Sequence, residues 1–590
     1  MRFPNIIYHK ILYYYIKLHL ISFLTNYDKK RLELLSLSLI SKEWNQKVIT
    51  SVRIDLSDTK ETPIKLMGLL IKRGFILDNI AITLQFNHVT MDDLIKYKID
   101  CQSVTTLTCN DLKPNFNSVN SFLQLSPFTS VENLRLAISS GNLLNTINVP
   151  LSSKAEDITI QQYSKVKCLY IGFTRSKFSP TLFNNLIHLE TLELNSFVVR
   201  GLMTLQIPAG LDIAIRSLNN LKTLIINHLP TGYSGLLTFL KNLNPSLHTF
   251  KSVFTHDIID MYIEDQDIWP PSDLPNYQSA VDILTSILSN YNIVNVDLKL
   301  DEQISNYHYK SILELNPHLQ SFKCEGLKIT STDFGTNIES ESLSIQHSTL
   351  TSIHVQFETG RMYKKEDWNL PSLKNLYYKG VGANYFINLA SLNLFLPENQ
   401  LVNVDLSNIS HFEFSDMLIQ LVSSTKTMLL LRVHCCYLQN PKKLFQVLTL
   451  NRTLKSLSFE STELYTPSLV EFIQSNHQTI KDFTLKKCCD LTNIIEESFK
   501  SYQNLQVLSL DFYKNSESNI QQIQSIIQYS PNLKHLNYFC PNIKINSLNT
   551  YHLETIGLVN YKRQYIQNTV VIPITMPKIF KKKIPMAHPI

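Results

Sequence analysis

Residues 454–489 read LKSLSFESTELYTPSLVEFIQSNHQTIKDFTLKKCC. Leu454, Leu457 and Phe459 are spaced apolar-x-x-apolar-x-apolar, and the same spacing returns 26 residues later, starting at Ile480. Side chains alternate along a strand, so the last two apolar residues of such a triplet point to one face. The intervening segment, around residues 469–475, has the apolar period of a helix. The stretch therefore predicts strand, helix and strand, as in a repeating α/β unit.

The triplet spacing continues through most of the chain. Its first residue recurs every 25 to 28 positions in a C-terminal series: Leu373, Leu401, Met428, Leu454, Ile480, Leu505 and Leu533. An N-terminal series has intervals of 27 and 28: Ile49, Leu77, Val104 and Val131. The middle is rougher and contains one gap of 46 residues, from Leu247 to Ile293. Random matches would scatter widely, so the regular intervals indicate an internal repeat.

Asparagine, serine and proline recur shortly before the strands. Asn244-Pro245, Asn316-Pro317, Ser530-Pro531 and Asn451 all stand two or three residues before a triplet begins. Proline cannot continue a helix and favours extended backbone in the residue before it. These positions are predicted to be the joints between each helix and the next strand.

This pattern resembles the leucine-rich-repeat family, whose consensus is L-x-x-L-x-L-x-x-N/C-x-L. The match extends furthest after Ile480, where Cys488 takes the N/C position, and Cys436 and Thr462 take the corresponding places. The resemblance covers residues 49–560. It implies an α/β leucine-rich-repeat solenoid, horseshoe-shaped, whose strands line a concave face. Most other units lack Asn or Cys at the N/C position, so an incomplete buried polar ladder is expected.

The concave face is the candidate surface for binding a partner. Residues that alternate with the buried triplet positions include seven basic and seven acidic side chains. A nucleic-acid groove would carry one sign, so this balance favours a protein partner and argues against nucleic acid. An ordinary solvated sheet face that binds nothing is the alternative. The candidate partner-binding residues are Tyr170, Lys323, Tyr377, Lys379, Arg432 and Glu460.

Residues 1–48 do not fit the repeat and predict two amphipathic helices. Phe3-Pro4, Ile11-Leu12 and the ending Leu39-Ile40-Ser41-Lys42-Glu43-Trp44 resemble the F-box, a small helical motif. An F-box followed by leucine-rich repeats implies a substrate receptor of a cullin-RING (SCF-type) ubiquitin ligase. The residues expected to contact the ligase adaptor, or to hold its binding helices, are Pro4, Ile7, Ile11, Leu12, Leu39 and Trp44.

An N-terminal cap is the alternative for the same segment. A repeat array needs its first repeat covered by an element with a polar outer face, and two amphipathic helices provide one without any adaptor. The chain would then be a non-enzymatic leucine-rich-repeat scaffold without a ubiquitin ligase. At the other end, residues 561–590 are expected to form a C-terminal cap and a basic tail.

The composition disfavours several kinds of chemistry. Glycine accounts for 14 of 590 residues, which leaves few positions for phosphate-cradling loops. The net charge is +6, small for this length. Nine sparse cysteines are typical of reduced thiols in the cytoplasm or nucleus. No stretch has the length and apolar character of a membrane span.

No pattern of a catalytic or metal site was found. Gly380-Val-Gly382 lacks the third glycine of a dinucleotide loop. Cys435-Cys436 and Cys488-Cys489 lie two repeats apart, too far for one zinc ion. The 46-residue gap contains an acidic insertion at 255–275, expected to be a surface loop. We therefore expect neither enzymatic activity nor a cofactor.

Overall fold

The computed structural model describes residues 53–56, 64–72, 74–85, 91–110, 129–137, 165–173, 183, 186–196, 211–227, 233–254, 277–300, 302–330, 344–357, 367–382, 400–488, 498–511, 519–539, 553, 555–559 and 572–573. The F-box-like segment 1–48 and the acidic insertion 255–275 lie outside these ranges, as does nearly all of 561–590. The chain divides into two compact units, residues 1–302 and 303–590.

The first unit is built on a parallel sheet to which successive repeats contribute one strand each. Its strands are β1 (Arg53–Asp55), β2 (Ile76–Asp78), β3 (Ile80–Gln85), β4 (Val104–Asn110), β5 (Asn133–Ala137), β6 (Cys168–Phe173), β7 (Thr191–Ser196), β8 (Thr223–Asn227), β9 (Thr249–Phe254) and β10 (Asn295–Leu300). Strands β3 to β10 pair in chain order, all parallel, and β1 pairs with β2 in a separate two-stranded sheet. The helices are α1 (Ile64–Lys72), α2 (Met91–Lys96), α3 (Leu211–Arg216), α4 (Tyr233–Lys241) and α5 (Tyr277–Leu288), with a 3-10 turn at Cys101–Ser103.

The second unit has the same plan. Its strands are β11 (Gln303–Ser305), β12 (Ser321–Glu325), β13 (Lys328–Thr330), β14 (Ser344–Gln346), β15 (Ser352–Phe357), β16 (Asp367–Asn369), β17 (Asn375–Gly382), β18 (Asn403–Ile409), β19 (Leu430–His434), β20 (Ser456–Glu460), β21 (Asp482–Lys486), β22 (Val507–Asp511), β23 (His535–Phe539), β24 (Thr555–Val559) and β25 (Ile572–Pro573). Strands β12, β15 and β17 to β24 pair in that order, all parallel, and β25 joins β24 antiparallel. The helices are α6 (Asn306–Glu314), α7 (Phe414–Ser424), α8 (Pro441–Leu450), α9 (Thr466–Gln474) and α10 (Asn519–Tyr529), with a 3-10 turn at Phe499–Ser501.

These observations confirm the predicted α/β repeat, and the architecture is consistent with a solenoid. The triplet residues form its core: Leu454, Leu457 and Phe459 are fully buried, as are Phe483 and Leu485. Full burial of one such side chain stabilises the fold by about 1.5–3 kcal/mol. Because a single repeat cannot cover its own apolar face, this burial depends on the neighbouring repeats.

Aromatic rings link consecutive repeats between helix and sheet. The ring of Phe445 lies 5.7 Å from that of Phe459 and 5.4 Å from that of Phe472. Phe483 continues the contact at 6.0 Å from Phe472, and Phe499 lies a further 5.8 Å away. Tilted ring pairs at these separations are favourable beyond their buried area. The rings thus form a continuous column across these repeats.

The 46-residue gap contains one repeat with an insertion. Strand β9 pairs directly with β10, Thr249 opposite Asn295 and Phe254 opposite Leu300. The register leaves no place for another strand between them.

The described parts of the repeats around β12 to β17 differ from the strand–helix pattern of their neighbours. The described parts of these connections contain the short strands β13, β14 and β16 instead of helices. Strands β14 and β16 pair with Ile345 opposite Trp368, and both side chains are buried. Extended backbone spans about 3.3 Å per residue against 1.5 Å in a helix. The repeat from Leu350 to Leu373 has 23 residues, and its described strand β16 covers a given distance with fewer residues than a helix would need.

Polar side chains bridge neighbouring repeats at the helix-to-strand joints. Asn244 Nδ2 donates to the carbonyls of Ile215 (3.0 Å) and Leu218 (2.8 Å) in the preceding repeat, and its Oδ1 accepts from Ser246 N. Asn451 also bonds to the preceding repeat, because its Nδ2 donates to the carbonyl oxygen of Val422 at 3.3 Å. The joints predicted at these two asparagines are confirmed. Each asparagine satisfies backbone groups that the helix end would leave unpaired.

A second polar ladder occupies the N/C position after the strands. Cys436, Thr462 and Cys488 are all buried. Thr462 Oγ1 accepts from Cys436 N at 3.3 Å, and Cys436 Sγ donates to the carbonyl of Leu406 at 3.6 Å. Burial raises the pKa of the Cys436 thiol to about 12, so it remains a neutral donor. The correspondence of these three positions is confirmed.

Gly380-Val-Gly382 lies within strand β17, where the pairing register shifts. A Cβ atom on Gly380 would lie 2.7 Å from the backbone carbonyl oxygen of Asn408 in the adjacent strand. This glycine therefore permits a close approach of two backbones, a common reason for glycine inside a strand.

Residues just after several strands adopt left-handed backbone. Cys435, Ser461 and Lys487 have φ between 48° and 52° and directly follow strands β19, β20 and β21, while Asn408, with φ 54°, is the penultimate residue of β18. Gly326, with φ 85°, stands at the same place after β12. Residues other than glycine pay about 1–2 kcal/mol for this conformation. Because the chain is poor in glycine, residues other than glycine take these left-handed positions, and the backbone at the strand ends is strained.

Ser461→Gly is expected to raise the free energy of unfolding by about 0.5–1 kcal/mol, because relief of the left-handed strain exceeds the added chain entropy. Ser458→Gly, within the extended strand β20, is the matched control and should lower it by about 0.5–1 kcal/mol. Urea denaturation followed by circular dichroism measures both. A destabilised Ser461→Gly protein would contradict the strain assignment.

His477 replaces asparagine at the joint after α9. Its Nε2 lies 3.0 Å from the carbonyl oxygen of Leu448, while Nδ1 is 3.3 Å from the backbone N–H groups of Thr479 and Ile480. These partners require a neutral ring with the proton on Nε2. Burial lowers the pKa of His477, and the nearby charge of Arg452 lowers it further, against two opposing backbone hydrogen bonds. The unfolded chain therefore binds the proton more readily than the folded protein.

The stabilisation from neutral His477 should be complete above the unfolded pKa near 6.5 and diminish as the pH falls below it. His477→Asn keeps a donor and an acceptor, as Asn451 does, but does not titrate. We expect the loss of unfolding free energy between pH 7.5 and pH 5.5 to be smaller in His477→Asn than in the parent chain. The exposed His318→Asn substitution is the control and should leave that loss unchanged. Equal pH dependence in all three proteins would contradict the assignment.

Candidate functional site

The candidate site lies on the open face of the second unit's sheet, which we define by the strand residues that alternate with the buried triplets. One row of the pairing register contains His354, Tyr377, Asp405, Arg432, Ser458, Thr484, Ser509 and Asn537. The next row contains Gln356, Lys379, Ser407, His434, Glu460, Lys486, Asp511 and Phe539. Parallel strands lie about 4.8 Å apart, so the side chains of each row are neighbours.

The charges on this face are segregated, although their numbers in the sequence are balanced. The basic end, on strands β12, β13, β15 and β17, contains Lys323, Lys328 and Lys379, with Glu325 as a carboxylate. The acidic end, on β18 to β22, contains four carboxylates against two basic residues: Asp405, Glu460, Asp482 and Asp511, with Arg432 and Lys486. The division between a basic end and an acidic end becomes visible when the charged residues are assigned to their strands.

At the basic end, aromatic rings and amide groups lie among the lysines. The imidazole of His354 meets the ring of Tyr377 edge-on, with centroids 6.5 Å apart. Tyr377 is 37% exposed and offers an apolar surface, whereas Gln356 is only 5% exposed. Burial lowers the pKa of His354, and the positive charge of Lys323 lowers it further. The imidazole is therefore neutral at pH 7.

At the acidic end, the carboxylates of Asp405 and Asp482 are half-buried near one guanidinium, and Asp511 is buried. Arg432 Nη1 lies 3.9 Å from Asp405 Oδ2, and Ser456 Oγ donates to Asp482 Oδ2 at 3.1 Å. Burial raises the pKa of both Asp405 and Asp482, although the charge of Arg432 lowers it in each case. An exposed ion pair of this length contributes little stability, about 0–1 kcal/mol. Replacement of the Arg432–Asp405 contact by a binding partner would therefore cost the fold little stability.

The first unit's sheet presents a different surface at Tyr170. This residue is 9% exposed because the guanidinium carbon of Arg135 lies 4.1 Å from the centre of its ring. Its hydroxyl oxygen accepts from Asn195 Nδ2 at 2.9 Å. The solvent-facing group here is Arg135, stacked on the tyrosine by a cation–π contact.

The predicted site residues fall into two groups. Pro4, Ile7, Ile11, Leu12, Leu39 and Trp44 lie outside the described residues. On the open face, Lys323 and Arg432 are exposed, and Lys379 and Glu460 are partly buried.

Sequence reasoning missed His354 and Gln356. His354 stands between the apolar residues Ile353 and Val355, and Gln356 directly follows Val355. The alternation that identified Lys379 would have found them, since it assigns them to the same face.

Across the described ranges, no three His, Cys, Asp or Glu side chains gather where they would hold a metal ion. None of the helices that the structure describes combines the length and apolar character that a membrane crossing requires.

Comparisons with known proteins leave the family open. No family model matches the chain, and no curated protein matches it. Among solved structures, it is similar to a chain in the crystal structure of the Rad7 and Elc1 complex in yeast, with a TM-score of 0.34 and 14% sequence identity. That similarity covers 60% of this chain and 84% of the other. Likeness at this level carries no argument about function.

Proposed function

We propose that this chain is a non-enzymatic protein-interaction module, a substrate receptor of a cullin-RING ubiquitin ligase. Its N-terminal F-box-like segment would bind the ligase adaptor, and the open face would capture the target protein. The repeats would form a horseshoe with this face on the concave side. The proposal places the protein in the cytoplasm or nucleus, where such ligases act.

The observation that carries the target-binding part is the row of polar and charged side chains on the open face. Repeats in register place Tyr377, Asp405 and Arg432 side by side on rigid strands. Such a surface is preorganised, so little ordering entropy is lost on binding. Both signs of charge are present, which suits discrimination between protein partners better than a nucleic-acid backbone.

The adaptor-binding part is supported by the sequence ending at Trp44. A generic amphipathic cap requires apolar stripes but not the run Leu39-Ile40-Ser41-Lys42-Glu43-Trp44. A scaffold with an N-terminal cap is the competing function, favoured by the need of any repeat array for a covered end.

The adaptor proposal is tested by a pulldown with the purified adaptor subunit of a cullin-RING ligase. The intact chain should bind, and Leu39→Ala/Trp44→Ala should bind about tenfold or more weakly, since two anchoring side chains are lost. Tyr377→Ala, on the open face, is the control and should bind like the intact chain.

Thermal unfolding of each protein separates docking from capping. If the folded, intact chain fails to bind, the receptor proposal is to be abandoned. If Leu39→Ala/Trp44→Ala keeps its adaptor affinity but melts at a lower temperature, the segment acts as a cap.

A further inference from the structure

The basic end of the open face brings together lysines from three strands around His354 and Gln356. Gln356 lies opposite Lys328 on one side and Lys379 on the other. Strand β12 pairs with β15, with Ser321 opposite Ser352 and Phe322 opposite Ile353. If this register continues by one residue, Lys323 lies beside His354. The electrostatic influence of both Lys323 and Lys379 on the His354 ring agrees with this proximity.

Two polar atoms at this place are buried without a hydrogen-bond partner. They are His354 Nδ1 and Gln356 Oε1, and the Gln356 side chain is 95% buried. Buried polar groups are nearly always paired, and an unpaired one costs about 1–3 kcal/mol. Such groups call for an explanation, and a partner that enters on binding supplies one.

The charges around these atoms favour an anionic partner. Lys323, Lys328 and Lys379 outnumber Glu325 among the charged residues of strands β12, β13, β15 and β17. The Gln356 amide can turn its NH₂ group outward. In that orientation it can donate to a carboxylate alongside the lysine ammonium groups.

We propose that the basic end, Lys323 and Lys379 around His354, binds carboxylate side chains of an acidic, extended segment of the target protein. This proposal rests on the proposed function, since it identifies the chemistry of the captured target. Tyr377 supplies the apolar surface against which the segment lies.

The spacing of the strands sets the spacing of the carboxylates. Lys323 and Lys379 stand on β12 and β17, two strand positions apart, or about 10 Å across the sheet, with Lys379 two residues further along its strand. A peptide in the extended polyproline II conformation rises about 3.1 Å per residue with three residues per turn. Glutamates at positions i and i+3 therefore lie on one side of such a peptide, about 9 Å apart, and would reach the two flexible lysines together.

The test measures binding of a fluorescent peptide with glutamates at i and i+3 to the full chain by fluorescence anisotropy. We expect Lys323→Gln/Lys379→Gln to weaken binding about tenfold, because two charge contacts are lost. Lys455→Gln/Lys481→Gln removes the same net charge at exposed positions elsewhere in this unit and should change affinity less than twofold. Glu325→Gln, which removes the opposing carboxylate, should strengthen binding about twofold.

A second readout follows the His354 ring directly. Its NMR signals, assigned by comparison with His354→Asn, should shift on addition of the peptide and not on addition of the matched glutamine peptide. An unmoved ring would overturn the proposal, as would equal weakening in the two lysine double variants. Inorganic phosphate and a phosphoserine peptide form a further arm. If these bind and the glutamate peptide does not, the carboxylate assignment is overturned.

This experiment uses no adaptor. Failure of peptide binding leaves the adaptor pulldown unaffected, and failure of the pulldown leaves the peptide result unaffected. The two proposals can therefore be rejected separately.

Discussion

The structure depends on the register of its parallel strands. A strand at the edge of a repeat leaves its N–H and C=O groups unpaired and one apolar face uncovered, and the next repeat satisfies both. Because the side-chain period along a strand is two, a slip by one residue would turn Leu457 and Phe459 outward and bury Ser458. The triplet spacing opposes this slip in the repeats that the structure describes. It also aligns the open-face side chains into rows.

Polar connections at both ends of the strands reinforce this register. At the helix-to-strand joints, Asn244, Asn451 and His477 bond to carbonyls of the preceding repeat. Beyond the strands, Cys436 and Thr462 connect to each other within the core. Each interaction is modest, about 0.5–1.5 kcal/mol, but leaving the buried groups unpaired would cost more. These connections explain why polar residues recur at buried positions of an otherwise apolar array.

Much of the fold could be predicted, since it follows from local periodicity. The triplets within the described residues, the joints at Asn244 and Asn451, and the N/C residues Cys436 and Cys488 occupy the predicted places. The short strands at Ile345 and Trp368 could not be predicted, because extended and helical connections compete through tertiary packing. The burial of Tyr170 beneath Arg135 could not be predicted from the sequence either, because that contact joins residues 35 positions apart.

The sequence by itself determined the repeat, its strand positions and the identity of the side chains that share a face. These features need only period and spacing, which a linear sequence carries in full. The tertiary structure decided which charges are neighbours: a balanced count of basic and acidic residues becomes a basic end at Lys323 and Lys379 and an acidic end at Asp405 and Asp482. It also decided that Gln356 is buried, and that His354 is half-buried, among the lysines. The reason is physical. Proximity across a sheet depends on which strands pair and in what register, and electrostatics depends on that proximity and on desolvation.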